Sequence, residues 1–123
     1  MVRTWLKISL LAAQCGAIST PLFAGEAEVV DARARCAESV CTITATLRHA
    51  DTGWDHYANH WRVLTPDDTE IARRVLFHPH ENEQPFTRNL DQVRISPEID
   101  YVFIEAHDSV HGYGGKRFRL QLP

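Results

Sequence analysis

From Val40 to Arg48 apolar and polar side chains alternate without a break. Cys41, Ile43, Ala45 and Leu47 fall on one face, and Thr42, Thr44, Thr46 and Arg48 on the other. Successive side chains of a strand point to opposite sides of its sheet, so this pattern describes a strand with one face in a core and one in water. The same period returns in His60–Leu64, Ile71–His78, Phe86–Ile95 (with a break), Tyr101–Ala106 and Lys116–Leu122, and near Glu28–Ala34. Thr65-Pro66-Asp67-Asp68-Thr69, Pro79–Gln84 and Ser96-Pro97-Glu98 supply turn chemistry between them. No segment carries a sustained 3.6-residue period. Seven short strands in so short a chain predict an all-β fold, a seven-stranded immunoglobulin-like or fibronectin-like antiparallel sandwich, with Trp61 on the third strand as a buried aromatic. With no repeat or linker, one domain is expected.

The N-terminus reads differently. Arg3 and Lys7 precede an apolar run from Ile8 to Ile18, Pro21 breaks it, and a small residue, Ala24, follows. This is the pattern of a secretory signal peptide over residues 1–24, with Ala27 as the alternative cleavage point. The run is too short to cross about 30 Å of hydrocarbon as a helix, so no transmembrane segment is expected in the mature domain, residues 25–123. Gln14 stands before Cys15 where lipoprotein acylation wants a small residue, which argues against lipidation there. The expected location is periplasmic or secreted. Cys36 and Cys41 then lie in an oxidising compartment, where a disulfide closing a short turn is their expected state. Their spacing is not the CxxC of redox or zinc motifs, which weighs against those alternatives.

Past residue 24 the chain has 11 basic and 16 acidic residues, a net charge of −5 with histidines neutral, which leaves no electrostatic footprint for nucleic acid. Its 7 histidines are the unusual feature. In a Greek-key sandwich the second-to-third, fourth-to-fifth and sixth-to-seventh connections gather at one end. His49, His56 and His60 fall in or beside the first of these, His78 and His80 border the second, and His107 and His111 border the third. The turns at the other end contain none. Imidazole is the commonest metal ligand, and several on one rigid pole would bind an ion with little ordering cost. The ligand set expected is His49, His56, His78, His80 and His111, with His60 and His107 in reserve and Asp51, Asp55 and Asp108 orienting the rings from behind. The pair in His78-Pro79-His80 shares one side of an extended segment that proline stiffens. Gly112, Gly114 and Gly115 let the last loop fold back closely. The chain past residue 24 has no Met and no unpaired thiol, so Cu²⁺ or Zn²⁺ is favoured over Cu(I), and iron also suits the ligands.

The segment His49-Ala50-Asp51-Thr52-Gly53-Trp54-Asp55-His56-Tyr57, followed by Trp61-Arg62-Val63-Leu64, resembles the iron-loop region of the desulfoferrodoxin or superoxide reductase domain. Ala106-His107-Asp108-Ser109-Val110-His111-Gly112 is similar to that family's Cys-Asn-x-His-Gly ending. The resemblance implies an immunoglobulin-like sandwich with a mononuclear iron site of four histidines and one cysteine. His49, His56 and His111 carry over by motif position. The thiolate position falls at Asp108, and the family's early histidine has no counterpart, although His78 or His80 could replace it in space. Without the thiolate, superoxide reduction does not transfer.

Other chemistries find little support. Ser109, His111 and Asp108 are loop neighbours without a nucleophile elbow, and there is no HExxH, P-loop, GxGxxG or EF-hand spacing. No catalytic residue is assigned. The expected function is transition-metal binding by an exported carrier, chaperone or small redox protein, with another periplasmic protein as a second partner. The alternative is a non-catalytic module that recognises a protein or glycan through the same loops. Trp54, Tyr57, Trp61, Phe86 and Tyr113 are expected as core and loop anchors rather than a binding platform.

Overall fold

The computed structural model describes residues 25–123, and the expected signal peptide lies outside the described residues. Seven strands follow in order: β1 (Glu28–Ala37), β2 (Val40–Arg48), β3 (Ala58–Leu64), β4 (Glu70–Val75), β5 (Phe86–Arg94), β6 (Tyr101–Asp108) and β7 (Phe118–Gln121). They form two antiparallel sheets, β1-β2-β5 and β4-β3-β6-β7, facing each other as a sandwich. The alternation in β2 is realised side chain by side chain, with Cys41, Ile43, Ala45 and Leu47 buried and the threonines on the outer face. Trp61, Val63, Val102 and Ile104 answer them from the opposite sheet, all fully buried. Burying each such large side chain stabilises the fold by about 1.5–3 kcal/mol before chain entropy is counted.

The end of the fourth strand departs from the sequence expectation, and the expected break in the fifth has a local cause. The fourth strand stops at Val75, not His78, because Leu76 turns into the core with its N–H on the Asn59 carbonyl at 2.9 Å. His78 and His80 therefore sit in the loop that follows. That strand pairs with β3 at the edge of the four-stranded sheet. The break in β5 is a bulge: Gln92 takes φ 58° where the register with β2 shifts, so Leu90 and Val93 both pack on the core despite their odd spacing.

Cys36 and Cys41 are directly opposed in the β1–β2 hairpin and joined by a disulfide, with Glu38 in the left-handed region at the turn. The other end of the sandwich is set by pairings such as Leu47 with Phe86, Ala58 with Asp108, and His60 with Val75. The β2–β3, β4–β5 and β6–β7 loops meet there, and all seven histidines stand on those loops or on the strand ends that feed them.

Candidate metal centre

The β2–β3 loop is organised around one buried carboxylate. Asp51 Oδ1 accepts from His49 Nδ1 at 2.5 Å and from the Ala58 N–H at 3.0 Å, while Oδ2 accepts the His80 N–H at 2.7 Å. A single side chain thus ties the loop to the start of β3 and to the β4–β5 loop. Gln84 fastens the same junction, accepting the His49 N–H at 3.0 Å and donating to the His80 carbonyl at 2.9 Å. The second nitrogen of His49 donates to the Gly25 carbonyl at 2.9 Å.

The β6–β7 loop presents a second buried carboxylate. Asp108 ends β6, and its Oδ1 accepts the Val110 and His111 N–H groups at 2.9 and 2.7 Å, an Asx turn that Gly112 closes at φ 72°. The same oxygen accepts from His56 Nε2 at 3.1 Å and lies 3.2 Å from His111 Nδ1. Oδ2 is buried and has no partner among the described residues. Such an oxygen is costly to bury unless something positive completes it.

His49, His56 and Asp108 each offer a ligand atom, and these atoms lie within 4.8 Å of one another. Bonds near 2 Å put the ligand atoms of one ion at most about 4 Å apart, so the group could hold a metal once its widest pair closes by several tenths of an ångström. His111 stands beside it, its ring 4.9 Å from that of His56, which in turn is 4.8 Å from that of His49. His49, His56, His111 and Asp108 are thereby neighbours in space. Asp51, behind Nδ1 of His49, fixes that ring in the way carboxylates commonly orient metal-bound histidines.

The remaining candidates fall into two other places. His78 and His80 pair with each other at 4.5 Å between centroids and do not join the group of three. His60 and His107, expected as reserves, stack at 4.3 Å on the outer face of the four-stranded sheet, where Tyr113 hydrogen-bonds His60 Nε2 and Asn59 takes His107 Nδ1 at 2.6 Å. Asp55 is exposed, and its carbonyl, not its carboxylate, makes the contact to Ser109. Trp54, expected as an anchor, is 66% exposed, whereas Trp61 and Phe86 are core. The roles of Gln84, Asn59 and the Gly25 carbonyl carried no signal in the sequence, since each depends on a long-range approach.

Electrostatics divide the histidines. Burial alone would lower the pKa of His49, but its hydrogen bond to Asp51 and the charges of Asp51 and Asp108 outweigh that and raise it. Burial would lift both carboxylates. Hydrogen bonds from His49 and the His80 and Ala58 N–H groups instead lower Asp51, and the His111 and Val110 N–H groups lower Asp108. Both stay ionised at neutral pH. On the outer face, burial first and then the neighbouring His107 and Arg73 charges push His60 down to about 4. Burial likewise lowers His80 and His107.

Among the described residues, no helix is long and apolar enough to cross a membrane. The chain is 37% identical over 92 residues to a protein of Halomicrobium mukohataei described as "Putative lipoprotein". That match covers 74% of this chain and 45% of the other, so the chain spans about half the length of the relative it matches. No protein-family model matches the chain, and no solved structure does so significantly.

Proposed function

We propose that this is an exported protein that binds one transition-metal ion tightly through His49, His56, His111 and Asp108. The observation that carries the reading is Asp108 Oδ2, a buried carboxylate oxygen without a partner among the described residues, beside two clustered imidazoles. A divalent ion would complete it, taking the place of the proton that His56 Nε2 now shares with Oδ1 and of the proton that His49 Nε2 now donates to the Gly25 carbonyl. Nitrogen and carboxylate ligands suit Zn²⁺ and Cu²⁺ in an oxidising compartment and also accept Fe²⁺. The likeness to the desulfoferrodoxin domain supports the same place for the ion, with Asp108 standing in for the thiolate. A carboxylate lacks the electron-donating sulfur of that site, so storage or delivery of the metal is the role we assign. Export is supported by the leader pattern of residues 1–24, by the disulfide and by the relative's description as a lipoprotein.

Thermal unfolding with and without metal tests this. An ion bound only by the native state at 100 times its Kd adds about 2.7 kcal/mol, which for a domain this size is a rise of roughly 10 °C or more in Tm. His56→Ala/His111→Ala should abolish most of that rise. An unchanged Tm for the parent protein with Zn²⁺, Cu²⁺ and Fe²⁺ would contradict the reading.

One observation favours a second reading. Trp54, Phe77 and Val110 are 66%, 73% and 59% exposed, one on each of the three loops at this pole. Exposed apolar side chains around a rigid rim suit recognition of a protein or glycan, with the histidines as loop supports. That function would persist in the His56→Ala/His111→Ala protein, whereas metal delivery would not.

A further inference from the structure

The His78-Pro79-His80 segment has no part in the group around Asp108, yet its two imidazoles are set up for a ligand. His78 is exposed, and its Nδ1–H donates to the Pro79 carbonyl at 2.9 Å. That bond fixes the tautomer and leaves the lone pair of Nε2 toward solvent. His80 is the reverse case. Its side chain is 3% exposed and lies flat against Phe86, 4.0 Å between centroids and 6° between planes, with neither ring nitrogen hydrogen-bonded to any described residue. A neutral imidazole has one donor and one acceptor, and leaving both buried and unpaired is costly. Asp51 Oδ2 lies 3.9 Å from Nδ1, too far for a hydrogen bond, but a small rotation of the ring would make one and turn Nε2 away from the carboxylate. The two rings are 4.5 Å apart, and both line an open cleft of about 610 Å³ with Trp54, Glu81 and Glu83.

We propose that His78 and His80 form a second, outer metal site for a divalent ion of the Cu²⁺ type, with Asp51 backing His80 and water filling the open positions. Two imidazoles and exchangeable water make a weaker, faster site than the inner group. The carboxylate of Glu81 gives the cleft negative charge to attract a cation, while that of Glu83 is paired with Arg88 at 2.9 Å. Asp51 is common to both places: its Oδ1 orients His49 of the inner group and its Oδ2 faces His80 of the outer pair. The outer pair thereby serves as the loading and exchange point for the pole.

The proposal goes beyond the inner-site reading, and Cu²⁺ titrations of four proteins separate the two. Stoichiometry is read by equilibrium dialysis, and binding at the cleft by quenching of Trp54 fluorescence, with Trp54→Phe as the control for that signal. The parent protein should bind two ions per chain. His56→Ala/His111→Ala should bind one and keep the quenching. His78→Ala, a change at an exposed residue, should lose the weaker ion, with at least a ten-fold drop in its affinity. A parent protein that binds one ion, kept in His56→Ala/His111→Ala and lost in His78→Ala, supports the outer site and removes the inner one. A count and quenching curve unchanged by His78→Ala, loss of all Cu²⁺ in His56→Ala/His111→Ala, or no binding by the parent would each overturn the outer site.

Discussion

Asp51 and Asp108 are both fully buried carboxylates at the same pole, and their partners separate their roles. Both oxygens of Asp51 are occupied, by His49 and Ala58 on one and His80 on the other, so it is a fastener that also aims a ring. Asp108 spends one oxygen on its own turn and on His56 and His111 and leaves the other bare. The sequence placed both behind the histidines. Nothing in residue order distinguishes a carboxylate with a spare oxygen from one without, because the difference lies in which N–H groups the fold brings near. His60 supplies a separate prediction. Its folded pKa is about 4 against 6.5 for the free group, so folding favours the neutral ring. The unfolded chain then binds more protons below pH 6.5, and stability present above that pH is lost as pH falls toward 4. Allowing for partial exposure, the loss between pH 7 and 4.5 should be about 1–2 kcal/mol, at 1.36 kcal/mol per full unit. Urea unfolding of the parent and His60→Asn proteins at both pH values checks this. An equal loss in the two proteins would mean that His60 does not drive it.

At the scale of elements, legibility followed the number of faces a strand buries. β2 has one clean buried face, and its bounds were read from the sequence without error. β4, with no fully buried side chain, ends three residues short of the expected His78, and its pattern does not determine its neighbour in the sheet. A weak edge strand leaves register and sheet choice to the loops around it. The β1–β2 hairpin shows the opposite case, in which covalent chemistry adds to pairing. Closing a loop of sequence separation 5 removes unfolded-state entropy equivalent to about 2 kcal/mol. Cys36→Ser/Cys41→Ser should therefore lower Tm by several degrees in the absence of metal. Because the hairpin is at the far end of the sandwich, metal affinity should stay within about two-fold. A large affinity loss with little change in Tm would show that the two ends are not independent.

The whole molecule is a division of labour between a rigid sandwich and one loop pole. Fold class was legible because period-two alternation and turn spacing are local signals that survive without any knowledge of tertiary contacts. Clustering of the histidines was legible at the level of the pole, since topology alone sends those three connections to one end. Their sorting into an inner group, an outer pair and a stacked pair on the sheet face was not. That sorting depends on ring positions a few ångströms apart, set by Asp51, Gln84 and Asn59 through contacts between distant segments. Asp108, with one oxygen unpartnered among the described residues, is the residue that gives the site a character of its own.

The most direct test of that character is X-ray absorption at the metal edge of Zn²⁺-loaded His78→Ala protein, in which only the inner group is left to bind. The account predicts one zinc per chain with a shell of nitrogen and oxygen near 2.0–2.1 Å, the outer-ring scattering of two or three imidazoles, and no sulfur. Asp108→Ala in the same background should lose the ion. A fully hydrated zinc without imidazole scattering, or a shell unaltered by Asp108→Ala, would contradict it.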